Sequence, residues 1–326
     1  MKSIVTGGAG FIGSHLVDAL LKLNHKVIVL DNFSTGRPEN LKHIKKKIKL
    51  IKCDVSKPGK WEKYLKNANW VFHLAALADI VPSIQKPSLY FKANVNGTFN
   101  VLQASVKNKV QKFLYAASSS CYGIPNKFPT PETADIKPQY PYALTKFLGE
   151  KLTLHWAEVY NLNALSLRLF NVYGTRSRTS GTYGAVFGVF LAQKLHSKPF
   201  TVVGNGEQTR DFTYVTDVVR AFILAAKSNQ KNKIYNVGSG KTISINYLIK
   251  LLGGKKVKIP KRPGEPSCTF ADIKKIKKEI NWLPKISIEK GVKEVVKNID
   301  YWKNAPLWTP TRIVGATRDW FKYLSK

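Results

Sequence analysis

Ser3-Ile4-Val5-Thr6-Gly7-Gly8-Ala9-Gly10-Phe11-Ile12-Gly13 opens the chain. Its first four residues form a short apolar run of strand character, and the glycines interrupt it just before a helical pattern that covers residues 11–23. A strand, a glycine turn and a helix in that order allow backbone N–H groups at a helix start to approach a pyrophosphate closely. A glycine turn alone says little, but the next segment adds to it. Lys26-Val27-Ile28-Val29-Leu30 reads as a second strand and ends at Asp31, 18 positions after Gly13. A carboxylate there accepts hydrogen bonds from ribose hydroxyls and repels an added ribose phosphate, so the expected cofactor is NAD rather than NADP.

The pattern continues outward from this unit. Strand-like runs recur at residues 48–53, 70–73, 112–117 and 164–169, with helix-period segments at 89–106 and 142–159 between the later ones. Short apolar strands alternating with helices predict an α/β fold of Rossmann type, a doubly wound parallel sheet covered on both faces. After Asn171 the texture changes to loops punctuated by glycine and proline, at 181–188, Gly204-Asn205-Gly206 and 261–266. This predicts a smaller mixed α/β substrate domain. The expected division is residues 1–170 for the dinucleotide half, with 211–237 returning to it through Lys233-Ile234-Tyr235-Asn236-Val237. Residues 171–210 and 238–326 then form the substrate half.

Bulk properties narrow the class. At 326 residues with 44% hydrophobic and 22% charged residues, the chain can bury a large core. No run reaches the ~18 apolar residues of a membrane span, and the first strand begins at Lys2, which predicts no leader and a cytoplasmic protein. Three distant cysteines, Cys53, Cys121 and Cys268, have no metal-ligand spacing, so neither a disulfide framework nor a metal site is expected. The formal charge of +33 is unusual. Nine of the 53 basic residues are arginine and 44 are lysine, scattered apart from short clusters such as Lys45-Lys46-Lys47. Arginines and aromatics do not interleave in those clusters, which favours a solvated lysine surface over a specific nucleic-acid footprint.

Tyr142-Ala143-Leu144-Thr145-Lys146 places a phenol and an ammonium on one helix face. A free tyrosine titrates near ~10, and a neighbouring cation favours the phenolate and brings it into range for proton transfer. Ser118-Ser119-Ser120 lies upstream at the end of a strand, where a serine run also suits a polar turn or a helix cap.

Together the spacing of Gly7, Gly10 and Gly13 and the downstream Tyr142/Lys146 pair resemble the extended short-chain dehydrogenase/reductase family, and more specifically its nucleotide-sugar epimerase branch. The resemblance runs from Lys2 to about Val296. It implies that Phe11, Ile12 and Asn32 also line the cofactor, that Asp54-Val55 contacts adenine, and that His73-Leu74-Ala75-Ala76 runs beside the nicotinamide ribose. Asn94, in Asn94-Val95-Asn96-Gly97-Thr98, completes the cofactor set, with Phe170 packed near the nicotinamide. Tyr142 is then the base, Lys146 holds the ribose and lowers the tyrosine's pKa, and Ser118 hydrogen-bonds the reacting oxygen.

On the substrate side the resemblance assigns Asn171, Arg210 and Arg262 to a diphosphate and Glu265 to the nucleoside ribose, which implies a UDP-linked sugar and a homodimer. Related dehydratases carry an Asp-Glu pair after the catalytic serine, and decarboxylases a glutamate; here Ser119 and Ser120 stand in those places. The resemblance therefore implies 4-epimerisation, with 4,6-dehydration, uronate epimerisation or decarboxylation as alternatives. Thr269 occupies a position that is bulky when the sugar is unsubstituted, so N-acetylhexosamines are expected to fit. Cys121 raises a 3,5-epimerase alternative, and the charge alone a remote RNA-binding one. The tail from Tyr301 onward, with Trp302, Trp308, Trp320 and Phe321, has no counterpart role; it reads as an amphipathic terminal helix packed on the body, with a subunit contact as the alternative.

Overall fold

The structure is a computed structural model that describes residues 1–177 and 186–325. A seven-stranded parallel sheet is its centre. Six strands are β1 (Lys2–Thr6), β2 (Lys26–Asp31), β3 (Lys49–Lys52), β4 (Trp70–His73), β5 (Lys112–Ser118) and β6 (Ala164–Leu169). The seventh, Lys233–Val237, pairs with β6 and gives the order Lys233–Val237, β6, β5, β4, β1, β2, β3.

Alternation along each strand divides the apolar residues between two cores. Val5, Val29, Phe72 and Leu114 face one layer with Leu16, Val17 and Leu20 of helix α1 (Phe11–Lys22) and Val218 and Phe222 of the helix Val215–Lys227. Their neighbours Ile4, Ile28, Val71 and Phe113 face the other, against Val101 and Leu102 of the helix Gly97–Lys107 and Trp156 of the helix Pro141–Val159. Between β1 and β4 the strand order reverses direction. In open α/β sheets such a switch point opens a crevice at the carboxyl ends of the strands, where ligands bind.

The second half builds its own core around Tyr173, Phe187, Phe190, Phe200, Leu248 and Trp302. Its strands are short. Phe200–Val203 pairs with Lys256–Ile259, and Thr209–Arg210 lies between Ile243–Ser244 and Cys268–Thr269. That last pairing sets Arg210 opposite Thr269, two residues far apart in sequence.

Two details differ from the sequence reading. Residues 181–185 of the expected glycine loop lie outside the described residues, while Gly188 falls within the helix Val186–Leu195, whose apolar Phe187, Val189, Phe190 and Leu191 are buried. The helical segment expected at 89–106 contains a π-helical turn, Phe91–Asn96, before Gly97–Lys107. No helix among the described residues is long and apolar enough to cross a membrane.

Candidate active site

Six strand ends feed one cavity of about 700 Å³. The turn after β1 contributes Gly7, Gly10, Phe11, Ile12 and Gly13; β2 leads to Asp31 and Asn32, β3 to Asp54 and Val55, and β4 to Leu74, Ala75 and Ala76. Ser118, Ser119 and Ser120 follow from β5, and Phe170 and Asn171 from β6. Tyr142 and Lys146 enter from the helix Pro141–Val159, and Arg210, Arg262, Glu265 and Thr269 close the far end.

The first turn is built for close backbone approach. Gly7 has φ +70°, and a Cβ there would lie 2.7 Å from the Ala75 nitrogen. A Cβ on Gly13 would meet the Gly7 carbonyl oxygen at 2.2 Å, so the turn and helix α1 could not pack as they do with any side chain. Asp31 is buried at the cavity edge. Its Oδ2 accepts from the Ala9 N–H at 2.9 Å and its Oδ1 from the Phe33 N–H at 2.8 Å. Burial raises this carboxyl above its ordinary value, and the two N–H groups pull against the shift. An acidic side chain beside a glycine cradle fits the pyrophosphate and ribose of a dinucleotide.

Asn94 is a predicted cofactor residue that does not reach the cavity. Its amide is used inside the protein: Oδ1 accepts from the Leu77 N–H at 2.8 Å, and Nδ2 donates to the Leu77 carbonyl and to Thr145 Oγ1, both at 3.0 Å. The π-helical turn presents Asn94 to the loop after β4, so the residue fixes that loop against the helix carrying Tyr142. His73 is also internal. Thr6 Oγ1 lies 2.7 Å from its Nδ1 and Thr98 Oγ1 3.0 Å from its Nε2, and burial lowers its pKa to about 3, so it is neutral.

Along the cavity wall, Ser118 Oγ lies 2.8 Å from Ser120 Oγ and accepts from the Ser120 N–H at 3.2 Å, capping the short 3-10 turn Ser119–Tyr122. Burial raises the Tyr142 phenol above its ordinary value, the hydrogen bond from Ser118 pulls it down, and the Asp79 carboxylate pushes it up. Lys146 follows Tyr142 by one turn on the same helix. Its ammonium stands over the Tyr115 ring at 4.3 Å, and the side chain is only 5% exposed. Burial lowers the Lys146 pKa to about 7, with Glu150 pulling it up. Spacing on a helix places two residues on one face; it does not say how far a buried lysine keeps its charge.

This lysine has a consequence for stability. Unfolded, it titrates near its ordinary 10.5; folded and cofactor-free, near 7. Between those values the unfolded chain binds the extra proton, so the folded state gains relative stability as pH rises through that window and carries the full cost below it. Cofactor-free Lys146→Met should therefore melt above the wild type at pH 7, with the difference shrinking toward pH 10. Parallel melting curves across that range would show that Lys146 keeps its proton in the fold.

The far end of the cavity is tied by arginine. Arg210 donates to Glu265 Oε1 at 2.9 Å and to the Thr209 carbonyl at 2.8 Å, while Arg262 lies 3.6 Å from Glu265 Oε2. Asn171 Nδ2 donates to Thr269 Oγ1 at 2.7 Å, and that hydroxyl also accepts from the Asp211 N–H at 3.2 Å. Cys121 is buried away from the cavity wall and its thiol is pushed up to about 12, chiefly by burial, which removes it as an acid toward a ligand there.

Sequence reading missed several wall residues. Asp79 and Tyr140 lie next to motifs and could have been found by extending them. Tyr301, Trp308 and Trp320 could not, because the tail gives no periodic or motif signal that aims it at the cavity. Tyr301 donates to Asn40 Oδ1 at 2.8 Å, with the Arg37 guanidinium 4.9 Å over its ring.

A parallel sheet with a glycine cradle at its switch point, and a serine, a tyrosine and a lysine beside that cradle, defines a dinucleotide-dependent enzyme of the short-chain dehydrogenase/reductase type. The chain belongs to the NAD dependent epimerase/dehydratase family, whose sequence profile matches residues 3–238. It is similar to a UDP-glucose 4-epimerase of Mycolicibacterium smegmatis, 31% identical over 317 residues, covering 93% of this chain and 99% of that one. Among solved structures it resembles the UDP-glucose 4-epimerase of Thermotoga maritima with UDP-glucose (TM-score 0.86, 35% identity, covering 93% of this chain and 99% of the other). It also resembles the UDP-N-acetylglucosamine 4-epimerase of Methanobrevibacter ruminantium in complex with UDP-N-acetylmuramic acid (TM-score 0.87, 35% identity, covering 93% and 98%).

Proposed function

We propose that the protein is an NAD-dependent nucleotide-sugar 4-epimerase acting on UDP-hexoses or UDP-N-acetylhexosamines. The observation that carries this reading is the continuity of one cavity, from the glycine cradle past Ser118 and Tyr142 to two arginines that converge on Glu265. NAD, when bound, supplies the acceptor that takes the C4 hydrogen as hydride and gives it back.

The protein's own residues do the rest. Tyr142 removes the C4 hydroxyl proton and later returns it, and Ser118 hydrogen-bonds the same oxygen. Lys146 holds the cofactor's ribose. Arg210 and Arg262 grip the diphosphate, since a guanidinium can donate paired hydrogen bonds to phosphate oxygens. With that end fixed, the 4-keto sugar turns over and presents its other face. Ser119 and Ser120 offer no carboxylate for eliminating water, which supports epimerisation over 4,6-dehydration.

The test is turnover. Purified enzyme with catalytic NAD is incubated with UDP-glucose, UDP-N-acetylglucosamine or UDP-glucuronate, and the products are resolved by NMR. A C4 epimer of a neutral sugar with no net reduction of the cofactor is the expected result. A persistent keto product, stoichiometric reduction of NAD, or turnover confined to the glucuronate would overturn the reading.

Thr269 sets the room for the sugar substituent. Thr269→Tyr should lower kcat/KM for a UDP-N-acetylhexosamine about tenfold more than for the unsubstituted hexose, the scale of an overpacked contact. Equal losses on both substrates would show that the change acts through the lost Asn171 and Asp211 contacts instead.

A further inference from the structure

The tail is part of the substrate cavity. Its helix, Pro310–Leu324, is capped by Thr309 and buries Ile313, Thr317 and Trp320, a stripe at helical spacing. Trp320 is 4% exposed and lies on the cavity wall. Its indole N–H donates to the Pro263 carbonyl at 2.7 Å, and the Arg262 guanidinium stands over its ring at 5.4 Å. On another side the Tyr140 ring is 6.3 Å away, and Tyr140 stacks on Tyr142 at 6.4 Å with 7° between the planes. The preceding residue, Asp319, accepts from Gln85 Nε2 at 2.8 Å, which ties the same turn to the helix Ile80–Gln85 of the other half.

These contacts share one geometric result. The indole N–H is only a donor, so its bond to Pro263 fixes the direction of the N–H, and the neighbouring Tyr140 ring limits rotation of the indole plane about it. That plane fixes where Arg262 can stack. A guanidinium held by its face can still donate in its own plane, toward an anion. Arg262 itself lies on a glycine- and proline-containing loop, 3.6 Å from Glu265 Oε2.

We propose that Trp320 is a positioning residue of the diphosphate subsite: by stacking on Arg262 and capturing Pro263, it sets the arginine that grips the sugar nucleotide. This rests on the nucleotide-sugar reading above. The full-length NAD-loaded enzyme is titrated with UDP by calorimetry, as wild type, Trp320→Ala, Trp320→Phe, Arg262→Ala and the Trp320→Ala/Arg262→Ala double variant. UDP affinity should fall about tenfold in W320A, the scale of a partly desolvated cation–π contact. It should fall less in W320F, which keeps a ring face but loses the N–H. In the R262A background W320A should cost nothing more, and NAD content should stay at the wild-type level throughout. With a UDP-sugar the loss should appear in KM more than in kcat.

Wild-type binding with an unchanged W320A, or losses from W320A and R262A that simply multiply, would overturn the inference alone. Failure of the wild type itself to take up UDP would overturn the nucleotide-sugar reading and the inference with it. Should W320A not fold, the W320F and W320F/R262A pair gives the same comparison.

Discussion

Tyr142→Phe should lower kcat for C4 epimerisation by about a thousandfold while KM for the sugar nucleotide changes little, because positioned acid–base groups contribute about 10²- to 10⁴-fold. The substitution removes one oxygen and leaves the ring, which stacks on Tyr140, so the surrounding packing is retained. What disappears is the only group proposed to hold the C4 proton while the sugar turns. Ser118 cannot replace it: its hydroxyl is already shared with Ser120, and an alcohol is a far weaker acid than a phenol. Ser118→Ala should therefore lose less than Y142F. A Y142F enzyme within about tenfold of wild type in kcat would place the proton transfer on another residue, since so small a loss lies below the usual range for acid–base catalysis. Asp79, whose charge already reaches the phenol, would be the next to test.

The sequence made the framework legible because the physics there is local. The strand before Gly7, the glycine turn and Asp31 each follow from short-range geometry, and β4 and β6 appear at the residues where short strand-like runs placed them. Long-range placement was less accessible. Asn94 sat in a motif associated with the cofactor, yet the π-helical turn directs its amide to Leu77 and Thr145, a direction that spacing cannot encode. Lys146 was expected to act through its charge on Tyr142. Whether a lysine keeps that charge depends on how deeply the fold buries it, and here the depth is set by Tyr115 and the strand beneath. Trp320 was invisible as a site residue. Its contacts reach Pro263, Arg262 and Tyr140 across 57 to 180 positions, and a terminal amphipathic helix reads the same whether it covers a core or a cavity.

Glu150→Ala should cost about 3–5 kcal/mol of stability and lower the melting temperature by about 4 to 7 °C, the range for stranding one partner of a buried ion pair in a chain of this size. Glu150 is 1% exposed and Arg168 is 3% exposed. Both carboxylate oxygens are engaged: Oε1 takes Arg168 Nη2 at 2.6 Å, and Oε2 takes Arg168 Nε at 3.0 Å and Ser166 Oγ at 2.8 Å. Burial works against the Arg168 charge, but the hydrogen bonds and charge of Glu150 outweigh it and hold the guanidinium above its ordinary pKa. Arg168 in turn donates to Tyr122 at 2.8 Å, and Tyr122 to Asn236 at 2.7 Å, so the pair locks β6 to the turn after β5 and to the edge strand Lys233–Val237. The same carboxylate supports the Lys146 ammonium one helical turn away. Glu150→Gln keeps the shape and removes the charge. It should lower the Lys146 pKa further in the cofactor-free protein, so the gap in melting temperature between Lys146→Met and its Lys146 parent should be wider at pH 7 in the E150Q background. An unchanged gap would confine Glu150 to holding Arg168. An E150A enzyme that melts with the wild type would mean that water reaches Arg168 and replaces the lost carboxylate.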